Sequence, residues 1–479
     1  MSSDTNSAIV DNLVARLNRI PITRTGIRVL ILLQIAWIIE GIDIGVSGPV
    51  LLLLKEVWHL GPTELGILGA SGTFGIVLGL IPAGYLADRF GRKPLAVWGM
   101  LQFTVFTGLE ALAPNYGWFL TLRFLDGIGQ GVLFAVPYLM IAEFLRPAKR
   151  AMAVGWTNGI LEMAYVIPAL LAAWVVSRFS PEWAWRLILL ISTSTVLYVP
   201  VIALWLPESP RWLLKHGKID KARTLIEKLE QEAHIGADLN LTTGAVAIVA
   251  DERVFSAREL FSRPFLGRSL ITYGAYTAGL MMWYGMLTYG PIIFRGAGFT
   301  STNAILMLGF MMFVGGLGNF LNGFLSDKLG RKPVLGIYSY AGAIAAVVLA
   351  FSDGPVPILI AGAVAAFFGL GGYPTQKIYI AEQYPTRLRG FGTSMGEAVS
   401  RFLGGVVAAY YVPAILAFGG TQAVFLFVAG AIAILVLPAL LFGRETSGVD
   451  IDIAGHAGSS DNSSAVLSER RLSALPEVR

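Results

Sequence analysis

Long apolar segments, separated by short polar turns, follow one another along almost the whole chain. A helix needs about 20 residues to cross a bilayer, and six segments of that length precede a polar central stretch, near residues 27–54, 63–87, 95–113, 118–142, 151–177 and 186–206. Six more follow it, near residues 266–294, 302–326, 334–352, 356–380, 390–418 and 421–442. The pattern predicts an all-α integral membrane protein with 12 transmembrane helices.

Three polar segments lie outside these runs. The first has apolar residues at helical spacing, which indicates a short amphipathic helix on the cytoplasmic membrane surface. The central one contains a charge-rich stretch from Lys218 to Gln231, which indicates short cytoplasmic helices, and the tail has no apolar period and is expected to be mostly disordered. The sequence predicts a cytoplasmic N-terminal segment (residues 1–26), a six-helix bundle (27–206), a cytoplasmic linker (207–265), a second six-helix bundle (266–444) and a disordered cytoplasmic tail (445–479).

One short cationic turn occurs twice. Gly84 to Pro94 reads Gly-Tyr-Leu-Ala-Asp-Arg-Phe-Gly-Arg-Lys-Pro, and Gly323 to Pro333, 239 positions later, keeps seven of its eleven residues. Each copy ends one apolar run and begins the next. Such a repeat predicts a duplicated membrane protein whose two halves keep the same orientation and are related by pseudo-two-fold symmetry.

Composition and charge agree with a membrane protein. The 479 residues are 55% hydrophobic and 14% charged, with a mean hydropathy of +0.66, which is too apolar for a soluble protein of this length. The net charge of +5 lies in turns rather than on one soluble face, so we expect no nucleic-acid partner.

The distribution of lysine and arginine predicts the orientation. Most of them fall in turns at one end of the predicted bundle, and only Lys55, Arg178, Arg186 and Arg295 fall in turns at the other. Because positive charge is retained on the cytoplasmic side, both termini are expected in the cytoplasm. The expected location is the bacterial inner membrane or a plasma membrane, with multiple passes.

Nothing in the sequence indicates an enzyme or a cofactor site. There are no cysteines, and the four histidines lack the spacing of metal ligands. No nucleophile or nucleotide-binding arrangement is present, and Gly127-x-Gly129 lies in an apolar segment, where helix packing is the ordinary explanation. We therefore expect no catalytic residue, cofactor or metal.

The repeated turns carry charges that suggest a cytoplasmic gate. The offset of 239 also relates Glu143 to Glu382 and Arg150 to Arg389. A carboxylate at the membrane boundary is costly unless it is paired, and the arginine of the neighbouring turn is the nearest candidate partner. We expect a latch between the two halves; the alternative is orientation anchoring by surface charge. The predicted gate residues are Gly84, Asp88, Arg92, Glu143, Arg150, Asp327, Arg331, Glu382 and Arg389.

Taken in order, the motifs resemble those of the major facilitator superfamily. They are the paired Gly-x-Leu-x-Asp-x-x-Gly-Arg-Lys-Pro turns, Arg123-x-x-x-Gly127-x-Gly129, Pro207-Glu-Ser-Pro-Arg-Trp-Leu213, Glu382-x-Tyr-Pro-Thr-x-x-Arg389-Gly390 and Glu445-Thr446-x-Gly448. Within it the chain is similar to sugar porters, organic-ion transporters and bacterial metabolite:proton symporters, over about residues 16–452. The resemblance implies two six-helix bundles around a midplane substrate site, worked by rocker-switch alternating access.

Ionisable residues inside the predicted helices of the first half point to ion coupling. Glu40 and Asp43 lie three residues apart, on one face of the first helix, and Arg123 and Asp126 lie in the fourth. A buried carboxylate that exchanges its proton for a salt bridge is a simple coupling device. By resemblance to proton-coupled sugar porters, Asp43 is expected to carry the proton and Arg123 to pair with it, with Glu40 or Asp126 next; the alternative is a static ion pair.

The second half departs from the sugar porters. Lys377 and Arg401 fall where sugar porters usually place tryptophans that pack on the sugar, and residues 278–282 replace a glutamine-rich segment. Two cations suit a carboxylate substrate, because charge-assisted hydrogen bonds are about twice as strong as neutral ones. The alternative is internal neutralisation by Glu397, four residues before Arg401, and by Glu162, which the same offset relates to Arg401.

Aromatic and amide side chains of the same segments are expected to complete the binding site, where they would stack on the substrate or orient a hydroxyl or carboxyl group. For each aromatic ring the alternative is contact with lipid or with neighbouring helices. The predicted substrate-binding residues are Lys377, Arg401, Asn158, Gln376, Tyr165, Trp283, Tyr284, Glu397 and Glu162.

The sequence therefore predicts a secondary active transporter that takes up a small organic anion, such as a sugar acid, a hydroxy acid or an aromatic carboxylate, together with protons. A neutral sugar or polyol porter is the alternative within this fold, and a non-transporting membrane sensor is the alternative from another class. The expected partners are the substrate, protons and the lipid bilayer, and the monomer is expected to be the functional unit.

Overall fold

A computed structural model describes residues 3–144, 150–236, 257–384 and 386–446, and these ranges are helical with no strand among them. Helix α1 (Ser3–Arg19) precedes the first half of the molecule. The helices of that half are α2 (Arg24–Val57), α3 (Pro62–Phe90), α4 (Arg92–Glu110), α5 (Tyr116–Phe144), α6 (Arg150–Ala164), α7 (Val166–Val176), α8 (Pro181–Thr193) and α9 (Val199–Trp205).

Two short helices, α10 (Pro210–Lys215) and α11 (Ile219–Glu232), follow the first half. The helices of the second half are α12 (Arg263–Gly296), α13 (Ser301–Leu329), α14 (Arg331–Ala350), α15 (Pro355–Gly369), α16 (Tyr373–Glu382), α17 (Thr386–Arg401) and α18 (Ala408–Phe442). A turn of π-helix, Phe402–Val406, joins α17 to α18.

These helices make the predicted membrane-spanning fold. Within the described ranges, eight segments are long and apolar enough to cross a membrane by length and composition alone. One of them, Phe391–Phe442, is 52 residues long and bends at Gly420, where φ is 65°, so it provides two passes. The eight segments thus provide nine passes. Helices α4, α5 and α12 pack among them and provide three more, which gives the 12 passes that the hydropathy pattern predicts.

Close packing of α3 against α5 explains the glycines of the fourth apolar run. A Cβ atom on Gly127 would lie 2.1 Å from the carbonyl oxygen of Gly72, so only glycine lets the two backbones approach this closely. Gly129 faces the other way, against the Gln102 side chain of α4. The Gly127-x-Gly129 pattern thus serves helix packing, as expected.

The first copy of the repeated turn is held by a carboxylate from the end of the same half. Gly91 has φ 104° and ψ 158°, a conformation that side chains with a Cβ rarely adopt. Glu208 Oε1 accepts hydrogen bonds from the backbone N–H of Arg92 at 2.9 Å and of Lys93 at 3.4 Å. The carboxylate therefore caps α4, where the helix dipole favours negative charge.

The second copy repeats this arrangement. Gly330 has φ 98° and ψ 164°, and Glu445 accepts from the backbone N–H of Arg331 at 2.8 Å and of Lys332 at 2.9 Å. Thr446 Oγ1 donates to Glu382 at 2.5 Å. The motifs that contain Glu208 and Glu445 thus act as caps on the two turns, a role that sequence reasoning did not assign to them.

Among the described residues, Arg92 and Arg331 of the turns form ion pairs with carboxylates of their own half. Arg92 Nη2 lies 2.9 Å from Asp88, and Arg331 lies 2.8 Å from Asp327 and 3.2 Å from Glu382. These pairs lie within one half each, so they do not by themselves form the expected latch, which stays a prediction. The predicted gate residues whose side chains lie outside the described part of the chain are Glu143, Arg150 and Arg389.

The N-terminal helix also differs from expectation. Leu13 and Leu17 of α1 are buried in an apolar cluster with Trp212 and Ile226 of α10 and α11. Arg16, also buried, forms an ion pair of 2.6 Å with Glu230 of α11. Buried apolar side chains of α1 are therefore covered by α10 and α11 rather than by lipid, because these helices offer a complementary apolar face and a buried carboxylate.

We expect Gly91→Ala to destabilise the protein. A side chain at this backbone conformation costs about 1–3 kcal/mol, and the added Cβ would lie 2.3 Å from Glu208 Oε2. The matched control is Gly84→Ala in the same motif, an exposed helical position where the Cβ meets no atom within 4 Å. Thermal unfolding in detergent should show a lower midpoint for Gly91→Ala only; equal midpoints would contradict the strain argument.

Candidate functional site

Most of the ionisable side chains inside the membrane-spanning helices form two buried clusters, and Glu40 and Glu162 line a cavity beside them. The acidic cluster lies in the first half and consists of Asp43 of α2, Glu110 of α4, and Arg123 and Asp126 of α5. The cationic cluster lies in the second half and consists of Lys377 of α16 and Glu397 and Arg401 of α17. Sequence reasoning predicted all of these residues except Glu110.

In the acidic cluster one guanidinium faces three carboxylates. Arg123 Nη1 lies 3.2 Å from Asp126 Oδ2, 3.6 Å from Glu110 Oε2 and 3.7 Å from Asp43 Oδ2. The side chains of Glu110 and Asp126 have no exposed surface, and that of Asp43 is 5% exposed. Arg123 Nη2 also donates to Ser47 Oγ of α2.

Neutral donors hold two of the three carboxylates. Thr107 Oγ1 donates to Asp43 Oδ1 at 2.5 Å, and Gln130 Nε2 donates to Asp43 Oδ2 and, at 2.8 Å, to Asp126 Oδ2. Neither oxygen of Glu110 accepts a hydrogen bond from the residues that the structure describes. Glu110 is therefore the least stabilised of the three as an anion.

The acidic cluster is not neutral when all of its groups are ionised. Three carboxylates and one guanidinium would leave two negative charges in an apolar interior, which is costly unless protons or another cation compensate them. Glu110 was missed because it stands near the end of its apolar run and has no charged neighbour in sequence. The signal was present, since Glu110 is the only charged residue of the run near residues 95–113.

In the cationic cluster two cations share one carboxylate. Lys377 Nζ lies 2.6 Å from Glu397 Oε2, and Arg401 Nε lies 2.9 Å from Glu397 Oε1. Tyr276 Oη donates to Glu397 Oε2 at 2.6 Å, and Tyr373 Oη lies 3.4 Å from Glu397 Oε1. The pairing of Arg401 with Glu397 that was considered from sequence is therefore present, whereas the carboxylate of Glu162 accepts from Trp283 instead. Lys377, Arg401 and Glu397 together carry one formal positive charge.

Side chains of both halves meet at the cationic cluster. The ring of Phe134, from α5 in the first half, lies 4.8 Å from Lys377 Nζ and 4.3 Å from Arg401 Cζ, which are cation–π distances. Arg401 Nη1 donates to Tyr284 Oη of α12 at 2.8 Å. Tyr284 in turn lines a cavity of about 40 Å³ together with Arg123 and Glu110, so this tyrosine lies between the two clusters.

A second cavity, of about 30 Å³, has acidic side chains on one side, the acidic wall, and a cationic side chain on the other, the cationic wall. Glu40 and Glu162 line it from the first half and Arg401 from the second. Glu162 Oε1 and Oε2 accept from the indole N–H of Trp283 at 3.1 and 3.2 Å. Cavities of this size hold a water molecule rather than a substrate, so the structure represents a closed state.

Most of the other predicted binding residues lie around this second cavity. Asn158 and Tyr165 line it, and the ring of Tyr165 lies edge-on to Trp283 at 5.8 Å. Gln376 is buried against Gly279 of α12 and is not among the side chains that line either cavity. The structure thus brings together all of the predicted binding residues except Gln376.

The two halves close around the cavities at the end of the bundle away from the repeated turns. A Cβ on Gly48 of α2 would lie 2.4 Å from the carbonyl oxygen of Leu287 of α12, and one on Gly66 of α3 would lie 2.4 Å from that of Ala409 of α18. Beyond this contact lies a vestibule of about 480 Å³. The buried charges are therefore sealed off from the vestibule.

Comparison with known proteins identifies the kind of molecule. A family model described as "Sugar (and other) transporter" matches residues 30–454. The niacin transporter NiaP of Acinetobacter baylyi is 29% identical over 87% of this chain and 93% of its own length. The 4-hydroxybenzoate transporter PcaK of Pseudomonas putida is 25% identical over 84% of this chain and 89% of its own length.

The fold is also that of a solved transporter. The xylose transporter XylE from E. coli, in a partially occluded inward-open conformation, superimposes with a TM-score of 0.70 at 18% identity, over 89% of this chain and 99% of that one. At this identity the similarity concerns the fold alone. All three relatives are transporters, which agrees with the expectation that the chain is not an enzyme.

We expect Glu397→Gln to lower stability and to make it depend on added anions. Removing one partner of a buried ion pair costs about 3–5 kcal/mol, and here two cations would lose their carboxylate. The matched control is Glu56→Gln, which removes a half-exposed partner of Arg295 at 3.9 Å and should cost less than about 1 kcal/mol.

Thermal unfolding with and without millimolar nicotinate provides the measurement. The midpoint of Glu397→Gln should fall without the anion and recover with it, because an added carboxylate can replace the lost one. An unchanged midpoint in the absence of anion would show that the cationic cluster does not need Glu397 for charge balance.

Proposed function

The chain belongs to the sugar (and other) transporter family of the major facilitator superfamily, and from this we propose that it takes up a small organic anion by proton-coupled symport. It is a multi-pass membrane protein that transports a small molecule. The observation that carries the proposed substrate charge is the cationic cluster, where Lys377 and Arg401 share the single carboxylate of Glu397.

A substrate carboxylate would complete the charge balance of this cluster. Arg401 faces the second cavity, and its guanidinium can form the paired hydrogen bonds that suit a carboxylate. Glu397 would then keep Lys377 and the Tyr276 hydroxyl as partners. Relatives named for niacin, 4-hydroxybenzoate, muconate and gallate support an organic acid.

The aromatic and polar side chains that line the second cavity suit an aromatic ring with a polar substituent. Trp283 and Tyr165 provide ring faces and edges, and Asn158 and Glu162 provide a hydrogen-bond donor and acceptors. The substrate proposed on this basis is an aromatic or heteroaromatic carboxylate. A sugar acid could also pair its carboxylate with Arg401, but it has no aromatic ring to stack on Trp283 and Tyr165.

Proton coupling is proposed from the acidic cluster. Since its three carboxylates exceed the one guanidinium, the cluster must gain or lose protons as its access to water changes. Asp43 is the proposed carrier, because its carboxylate pairs with Arg123 and accepts from two neutral donors, so loss of its proton leaves a well-supported anion.

Tyr284 offers a physical route from proton to substrate. It lines the same cavity as Arg123 and accepts a hydrogen bond from Arg401. A shift of Arg123 when Asp43 changes protonation would alter the space beside Tyr284, and thereby the position of Arg401. The proposed cycle combines this link with rocker-switch opening of the two halves around the closed cavities.

Uptake into proteoliposomes tests the charge preference of the substrate site. We expect accumulation of nicotinate and gluconate but not of nicotinamide or xylose. Lys377→Gln should reduce anion uptake at least about tenfold, because Glu397 would lose a charge-assisted hydrogen bond worth roughly 1.5–3 kcal/mol and would compete with the substrate for Arg401. The matched control is Lys221→Gln, which removes an exposed cation from α11.

Two outcomes would contradict the anion proposal. Uptake of xylose that is insensitive to Lys377→Gln would favour a neutral sugar porter. Binding of a ligand without accumulation under any gradient would favour a sensor.

Asp43→Asn should abolish accumulation driven by a pH gradient but retain exchange of substrate across the membrane, because exchange needs no net proton movement. Glu110→Gln should retain accumulation and change its dependence on external pH, since it leaves the pair of Asp43 and Arg123 intact. Labelled uptake is measured with the outside acidified. If Asp43→Asn still concentrates substrate, the proton carrier lies elsewhere.

A further inference from the structure

A cleft of about 510 Å³ opens on the side of the first half, at the end that carries the repeated turns. Three cations from three separate elements converge on it: Arg28 from α2, Lys93 from α4 and Lys228 from α11. The remaining lining comes from the end of α9 and the two residues that follow it, residues 204–207. None of these residues takes part in the transport sites described above.

The cations of this cleft are not balanced by neighbouring carboxylates. Within the described part of the chain, no ion pair joins Arg28, Lys93 or Lys228 to an acidic residue. Glu232 lies close enough to Lys228 for their charges to interact, but its two oxygens accept from Thr25 N at 2.7 Å and Thr25 Oγ1 at 2.6 Å. The cleft thus keeps a net positive charge.

Glu208 is the second carboxylate near the cleft. Its Oε1 atom accepts from the backbone N–H groups of Arg92, Lys93 and Ser209 and forms no ion pair with the Lys93 ammonium in the described part of the chain. Three cations therefore exceed the two carboxylates, Glu208 and Glu232, and the cleft keeps a net positive charge.

The apolar part of the lining places the cleft at the edge of the membrane. Leu204 is 76% exposed and Trp205 is 64% exposed, both at the end of a membrane-spanning pass. Exposed tryptophan is typical of the level of the lipid headgroups. A ligand here would meet cations on one side and apolar surface on the other, which suits an amphiphile rather than a soluble anion.

We propose that this cleft binds the headgroup of an anionic phospholipid, with the phosphate between Lys93 and Lys228 and an acyl chain along Leu204 and Trp205. Clusters of basic residues next to a membrane-spanning helix attract anionic lipids, by about 1 kcal/mol per cation. Because Lys228 belongs to α11 and Lys93 to α4, the bound lipid would tie the linker helices to the first half.

Thermal unfolding of the full chain in nanodiscs tests this site. In discs of phosphatidylcholine with phosphatidylglycerol, the midpoint should lie about 3 °C or more above that in phosphatidylcholine alone. The double variant Lys93→Gln/Lys228→Gln should lose more than half of this shift. The matched control, Lys221→Gln/Arg223→Gln, removes two exposed cations of α11 outside the cleft and should keep it.

Native mass spectrometry counts the bound lipid directly. The wild type and the control should retain one more phosphatidylglycerol than the double variant. Arg28→Gln provides a second variant, with an intermediate loss expected, in case the double variant unfolds in detergent.

Three outcomes would overturn the proposal. The first is an equal shift for the double variant and the control. The second is an equal count of retained lipid in the double variant and the wild type. The third is a stabilisation by inorganic phosphate in phosphatidylcholine discs that matches the effect of phosphatidylglycerol, which would identify a site for a soluble anion instead.

Discussion

The cost of uncompensated charge inside the membrane governs this structure. Each half buries a cluster that does not balance itself: the acidic cluster has three carboxylates for one guanidinium, and the cationic cluster has two cations for one carboxylate. An unpaired charge in an apolar interior costs several kcal/mol. Under the proposed function, protons would complete the acidic cluster and a substrate anion would complete the cationic cluster. A symporter of protons and an organic acid would meet both demands.

The two halves share the repeated turns, and they differ at related positions that line the second cavity. The two repeated turns keep the same glycine conformation and the same kind of carboxylate cap, so they serve the helix ends of both halves equally. At the offset of 239, by contrast, Asn158 corresponds to Glu397 and Glu162 to Arg401. Glu162 and Arg401 face each other across one cavity. One acidic and one cationic residue of this cavity thus occupy related positions of the repeat.

Hydropathy was enough to predict the twelve passes, since a spanning helix depends on composition over about 20 residues. The charged residues of the site were visible for the same reason, because a charge stands out in an apolar run. What could not be predicted was which groups pair. Arg331 pairs with Glu382 and Asp327 of its own half, and α1 packs against α11. These contacts depend on distances between side chains that are set only when the helices pack together.

The contact of Phe134 with the cationic cluster connects occupancy to movement. This ring belongs to the first half, whereas Lys377 and Arg401 belong to the second. Separation of the halves on that side would remove the ring and expose two cations that share one carboxylate. With no anion present, that separation costs the cation–π energy of both, about 0.5–2 kcal/mol each. Under the proposed function, a bound carboxylate would compensate the cations in either arrangement. Binding of the substrate would then favour opening, which is what coupled transport requires.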